Sequence, residues 1–113
     1  MKIRNAWCRE TAHPSYQKNW SEENPSYGQC AVTALWVNEV LSMPIYKCKV
    51  GRITHYYNMW INTHQVIDLT SGQLNGKKIA YFDGERVVRE QLLKCKHVKE
   101  RYELLKARME NLI

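Results

Sequence analysis

The sequence predicts an α+β fold: a central helix that begins at Cys30 packs on an antiparallel sheet, and a second long helix closes the C-terminal end. Three observations predict it. Residues 30–41 form an apolar run whose only polar members after Cys30 are Thr33, Asn38 and Glu39. Residues 46–70 carry partial alternation and the Tyr, Trp, Ile and Val content of strands. From Glu90 onward there is no Gly or Pro, and apolar residues recur every three or four positions.

With 113 residues, 44% of them hydrophobic, the chain matches one ordinary domain with a modest core, so 1–113 reads as a single unit. The first twenty residues include Arg4, Cys8, Arg9, Glu10, His13 and Pro14 without an apolar run, which fits neither a secretory signal nor a membrane anchor. A cytoplasmic address is expected. Cys8, Cys30, Cys48 and Cys95 then read as reduced thiols rather than as two disulfides. No two cysteines lie three or four apart, and Cys8 with His13 lacks partners at ligand spacing, so neither a metal nor another cofactor is expected.

Seventeen Lys and Arg against eleven Asp and Glu give a net charge of +6, which favours an acidic partner without naming one. Lys47, Lys49, Arg52, Lys77, Lys78, Lys94, Lys96 and Lys99 are scattered rather than gathered into a stripe with interleaved aromatics, which argues against nucleic acid.

In chain order, the turn cluster Asn24–Gly28 leads into the helix Cys30–Leu41. Val32, Leu35, Trp36 and Val40 fall on one helical face while Ala34, Val37 and Leu41 crowd its flank, an arc too wide for a surface helix. The helix is therefore expected to be buried, and Pro44 to end it. Tyr46–Ile53 has the period of a half-exposed strand. Thr54–Ile61 and His64–Leu69 read as a hairpin around Asn62 and Thr63, and Tyr81–Phe82 as a further strand. In the last helix, Cys95, Val98, Tyr102, Leu105, Met109 and Leu112 draw one apolar seam. Only about two heptads are available, which favours a docked helix and a monomer over a coiled-coil dimer through this helix.

The chemistry-bearing residue is Cys30. A cysteine at a helix start meets unpaired amides and the positive end of the helix dipole, which stabilise the nucleophilic thiolate. Gly28, lacking a side chain, leaves room for a substrate carbonyl to reach the Cys30 amide. Counting outward from Asn62 and Thr63 pairs Met59 with Val66, Tyr57 with Asp68 and His55 with Thr70. His55, Tyr57, Asp68 and Thr70 then share a face, with His55 diagonal to Asp68 at about 7 to 8 Å between alpha carbons. Any loop with an even number of residues preserves this, and a one-residue slip destroys it.

Cysteine at a helix start, histidine on a following strand and a carboxylate on the next is the order found in papain-like and transglutaminase-like enzymes. In that arrangement Cys30 attacks a carbonyl carbon, His55 moves the proton, and Asp68 orients the imidazole. The run from His55 to Trp60, followed by Asp68, Leu69 and Thr70, resembles the transglutaminase-like pattern. Residues Tyr27–Leu35, His55–Asn58, Ile67–Thr70 with Gln73, and Arg101–Lys106 together resemble the YunG-like family of small uncharacterised bacterial proteins, over a stretch from about Trp20 to the C-terminus. Tyr57 departs from the tryptophan that the resemblance leads one to expect. Asn24 lies six residues before Cys30, a spacing similar to that of the papain oxyanion glutamine, and Gln29 and Gln73 offer further amide donors. Tyr57, with Trp20, Trp36 and Trp60, is a candidate for a substrate groove, although large aromatics in so short a chain are commonly core.

Two functions follow as expectations. One is a cysteine hydrolase or acyltransferase acting on an amide or thioester bond of a protein or peptide. The other is a non-catalytic module that keeps the frame and holds a protein partner.

Overall fold

The computed structural model describes residues 3–74 and 76–112. Among these residues seven helices and strands are set in an α+β arrangement: α1 Cys30–Leu41, β1 Ile45–Val50, β2 Ile53–Met59, β3 Val66–Ile67, β4 Glu85–Val87, α2 Arg89–Leu93 and α3 Lys96–Glu110. The four strands form one antiparallel sheet in the order β3-β2-β1-β4. Among the described residues no helix is long and apolar enough to cross a membrane.

The α1 helix is buried as its wide apolar arc requires. It packs between β2 and α3, with Val32 and Leu35 meeting Ile45, Tyr102 and Leu105 in the main core. Its last turn departs from expectation. Val40 and Leu41 are exposed, because the helix stops at Ser42, whose left-handed backbone (φ 58°) donates its N–H to the Asn38 carbonyl at 2.9 Å. The segment before α1 consists of short 3-10 turns, Ile3–Asn5, Arg9–Thr11 and Pro14–Asn19. Ile3, Ala6 and Trp7 complete the core, and the Trp7 indole N–H donates to Thr33 Oγ1 at 2.9 Å.

The stretch expected as one strand, Tyr46–Ile53, turns at Gly51 and Arg52, so Ile53 already opens β2 and faces Val50. Gly51 has φ 64° there, a conformation that glycine adopts without strain. The next hairpin has the anticipated register, Asn58 opposite Ile67 and Met59 opposite Val66. Its loop is longer than the pair Asn62 and Thr63: Trp60 donates to the Gln65 carbonyl at 3.0 Å, which leaves residues 61–64 to turn the chain. Four residues keep the even parity. β3 is correspondingly shorter than His64–Leu69.

Tyr81 and Phe82 are in a 3-10 turn, Tyr81–Asp83, and the strand that extends the sheet is β4, pairing Ile45 with Val87. The C-terminal helix is broken once, where Cys95 takes an extended conformation and becomes the residue before α3. Val98, Tyr102, Leu105 and Met109 bury the seam against α1, whereas Cys95 and Leu112 at its ends are exposed.

Candidate active site

Cys30 is the first residue of α1, and no side chain caps the amides of that first turn. Its Sγ lies 3.9 Å from the Thr54 carbonyl of β2, which places the thiol beside the next residue, His55. The imidazole is fully buried. Its Nε2 bonds Asp68 Oδ2 at 2.7 Å, so the carboxylate holds the proton on Nε2 and leaves Nδ1 for other work. Among the described residues Nδ1 makes no hydrogen bond, and the nearby Cys30 thiol is one of the groups that favour the protonated ring. Catalytic hydrogen bonds are often long before substrate arrives.

Burial, the largest influence on His55, pulls its pKa down. The Asp68 hydrogen bond and charge, with the neighbouring Cys30 thiol, outweigh burial and raise the imidazole from 6.5 to about 9.

Asp68 is itself held by four donors. Oδ2 receives His55 and the Tyr81 hydroxyl, the latter at 2.7 Å. Oδ1 receives the Thr70 N–H at 3.2 Å and its hydroxyl at 3.3 Å. The two oxygens thus divide the contacts, Oδ1 taking Thr70 and Oδ2 taking His55 and Tyr81.

Tyr81 had no part in the sequence reading of the site; its place in a 3-10 turn after a long loop leaves no periodic signal. Tyr57 donates its hydroxyl to the Tyr81 carbonyl and stacks on His55 with ring centroids 6.3 Å apart. It is buried to 1% exposure, so it backs the imidazole and does not line a groove. Burial pushes the hydroxyl pKa of Tyr57 far above 10, and burial followed by the Asp68 hydrogen bond does the same for Tyr81.

The candidate oxyanion donors separate cleanly. Gln29 is fully buried with its amide spent: Oε1 accepts from Thr11 Oγ1 at 2.8 Å and Nε2 donates to the Cys8 carbonyl at 2.9 Å. Asn24 lines a different depression, with Trp7, Trp36 and Leu69. The space beside Gly28 is taken by Tyr16 and Ala12, which an added Cβ would meet at 3.0 and 3.2 Å, and its φ of 75° is the left-handed conformation. Gly28 is thus required by the backbone rather than by an approaching carbonyl. Gln73 differs from both of the other amides. Its Oε1 accepts from the Gly28 N–H at 2.9 Å, which fixes the amide plane, and its buried Nε2 has no partner among the described residues.

Cys30, Gly28 and Gln73 line one cleft of about 380 Å³ together with His13, His97 and Arg101. Arg101 was marked in the sequence only by resemblance, and the four-residue spacing of His97 and Arg101 on α3 was the overlooked signal. Among the described residues no group of His, Cys, Asp and Glu is arranged to hold a metal ion.

The family model described as YunG protein matches residues 1–113. A Bacillus subtilis (strain 168) protein, uncharacterized protein YunG, is 38% identical over 71 residues, which is 63% of this chain and 56% of that protein. The match therefore spans little more than half the length of that curated relative. No solved structure matches the chain. With the family match running through the helix of Cys30, both strands of the hairpin and α3, the chain belongs to the YunG family.

Proposed function

We propose that this protein is a cysteine hydrolase or acyltransferase of papain-like or transglutaminase-like arrangement, with Cys30, His55 and Asp68 as its triad and an amide or thioester as its substrate. The observation that carries the reading is His55, buried beside the Cys30 thiol with its far nitrogen locked on Asp68 at 2.7 Å. An imidazole that keeps a proton near neutral pH is both the counter-charge a thiolate needs and the acid a leaving group needs.

The reaction follows from these positions. Cys30 Sγ bonds to the carbonyl carbon, with its proton held by His55. The carbonyl π pair moves to the oxygen, where Gln73 Nε2 and the Cys30 amide donate to it. As the pair returns, the bond to the amine or thiol leaving group breaks and His55 supplies its proton, leaving an acyl-thioester. Water, or an acceptor amine deprotonated by His55, then attacks the thioester and releases Cys30. Asp68 keeps the ring in register throughout. A single domain in the cytoplasm, acting as a monomer on a protein or peptide, is the setting this reading takes.

The test is the rate of Cys30 alkylation by iodoacetamide from pH 4 to 9, with peptide mapping, in wild type and His55→Ala. Rapid labelling of Cys30 near neutral pH that slows in His55→Ala supports the reading. Labelling no faster than at Cys95 and indifferent to His55 sinks it, leaving a module that holds a protein partner without chemistry.

A further inference from the structure

We infer that the Cys30 cleft contains an anion subsite that takes a carboxylate carried by the substrate near its reacting carbonyl. The placing of that carboxylate next to a scissile bond rests on the proposed role of Cys30; the subsite itself does not.

The cleft has a one-sided charge. Arg52 and Arg101 line it with His13 and His97, and no Asp or Glu is among its described lining residues. Arg101, on α3, is only 5% exposed. Its Nε donates to the His97 carbonyl at 3.1 Å, Nη1 to the Thr11 carbonyl at 3.0 Å and Nη2 to His97 Nδ1 at 3.3 Å. These neutral acceptors take three of the five guanidinium N–H groups without balancing the charge, and among the described residues no carboxylate pairs with it. Arg89 shows the contrast: it is more exposed, and it is matched by Glu39 at 3.0 Å. A buried cation without a counter-charge is costly, and an incoming anion relieves that cost.

The two histidines add directed donors. Arginine can only donate, so His97 Nδ1 must accept and its proton sits on Nε2. His13 Nδ1 accepts from the Ser15 N–H at 3.1 Å, which puts its proton on Nε2 as well. The rings meet edge to face at 5.1 Å. Burial first, and then Arg101, lowers the pKa of His97, as it does for His13, where His97 adds to the effect. Around neutral pH the wall thus offers Nε2–H donors, while the charge comes from Arg101 and Arg52. Tyr56, Leu92 and Val98 supply an apolar remainder, which suits a carboxylate borne on an organic residue better than free phosphate.

Cys30 opens into the same cleft and reports on it directly. The rates of Cys30 labelling by iodoacetate and by iodoacetamide are measured at pH 7, each divided by the rate for N-acetylcysteine, so that nucleophile reactivity cancels in their ratio. The expected ratio favours iodoacetate by roughly tenfold, declines with added salt, and collapses toward one in Arg52→Gln and Arg101→Gln. Arg52 is at the exposed turn, so its variant removes charge from the cleft without touching the buried contacts of Arg101. A ratio of one in wild type overturns the subsite.

An independent arm titrates Cys30→Ser with N-acetyl-glutamate α-amide, which has one carboxylate, or N-acetyl-glutamine α-amide, which has none, and follows the His97 and Arg101 side-chain resonances. Saturable shifts with the glutamate alone support the subsite, and shifts with neither overturn it. Saturation by inorganic phosphate with none by N-acetyl-glutamate α-amide overturns the assignment to a carboxylate. An iodoacetamide rate indifferent to His55 beside an elevated iodoacetate ratio removes the proposed catalysis and leaves the anion subsite standing.

Discussion

Tyr81 donates its hydroxyl to Asp68 at 2.7 Å, on the same carboxylate oxygen that holds His55. The contact ties the loop before β4 to the hairpin that carries the imidazole. Tyr81→Phe keeps the ring and removes one donor, so the carboxylate loses part of its anchoring. The expected result is a loss of about 1.5 to 3 kcal/mol in stability, as for a hydrogen bond to a charged group, and several-fold slower Cys30 alkylation at pH 7. Chemical denaturation and labelling kinetics check both, and an unchanged labelling rate removes Tyr81 from the positioning network.

Replacing Asp68 by Asn removes the carboxylate that works against burial at His55. Burial already pulls the His55 pKa down more strongly than any other single influence. The imidazole should therefore titrate well below about 9 in Asp68→Asn, measured by NMR of the ring protons. Titration still centred near 9 would show that Asp68 is not what holds the proton.

Stability should carry the same signature with a definite sign. His55 has its folded pKa raised from 6.5 to about 9, so the native state binds the proton more tightly than the unfolded chain does. The resulting stabilisation is complete below about pH 6.5 and is lost as pH climbs toward 9. The melting temperature of wild type should fall across that window more steeply than that of Asp68→Asn. Parallel profiles for the two proteins contradict the linkage.

Gln73→Glu tests the oxyanion donor with little change of shape. A glutamate oxygen can still accept from the Gly28 N–H, but the free Nε2 donor disappears. Adduct formation between Cys30 and a small peptide aldehyde, which places an oxyanion-like oxygen in the cleft, should weaken by about 10²-fold. Iodoacetamide, which develops no such oxygen, should label Cys30 within a few-fold of wild type. Equal weakening of both probes would instead mean that the substitution disturbs the cleft as a whole.

Gly28→Ala should cost about 1 to 3 kcal/mol. The residue has φ 75°, and the new methyl meets Tyr16 and Ala12 at 3.0 and 3.2 Å. Equilibrium unfolding measures it; a variant as stable as wild type would show that Tyr16 yields freely.

What was legible in the sequence was periodic. The α1 run, the hairpin register and the α3 seam each repeat a spacing that geometry imposes, and from that register alone His55 and Asp68 came onto one face. The unread parts depend on non-repeating contacts. Gln29 and Gln73 are indistinguishable as residue types, and only the fold shows that Thr11 and Cys8 consume the first amide while Gly28 leaves half of the second free. Tyr81 reaches Asp68 across a loop, and Val40 and Leu41 lost their expected burial to a left-handed Ser42 that no apolar pattern announces.

The four-residue connection between β2 and β3 has a consequence for how this family can vary. Side chains alternate across a strand, so adding or deleting one residue among 61–64 turns Asp68 to the opposite side of the sheet from His55, whereas a change of two leaves the pair facing. Length in that loop is therefore constrained in steps of two, even though residues 61–64 are all exposed and free to differ in identity. Among family members that keep the histidine and the aspartate, odd-numbered gaps at this point should be missing while even ones are tolerated.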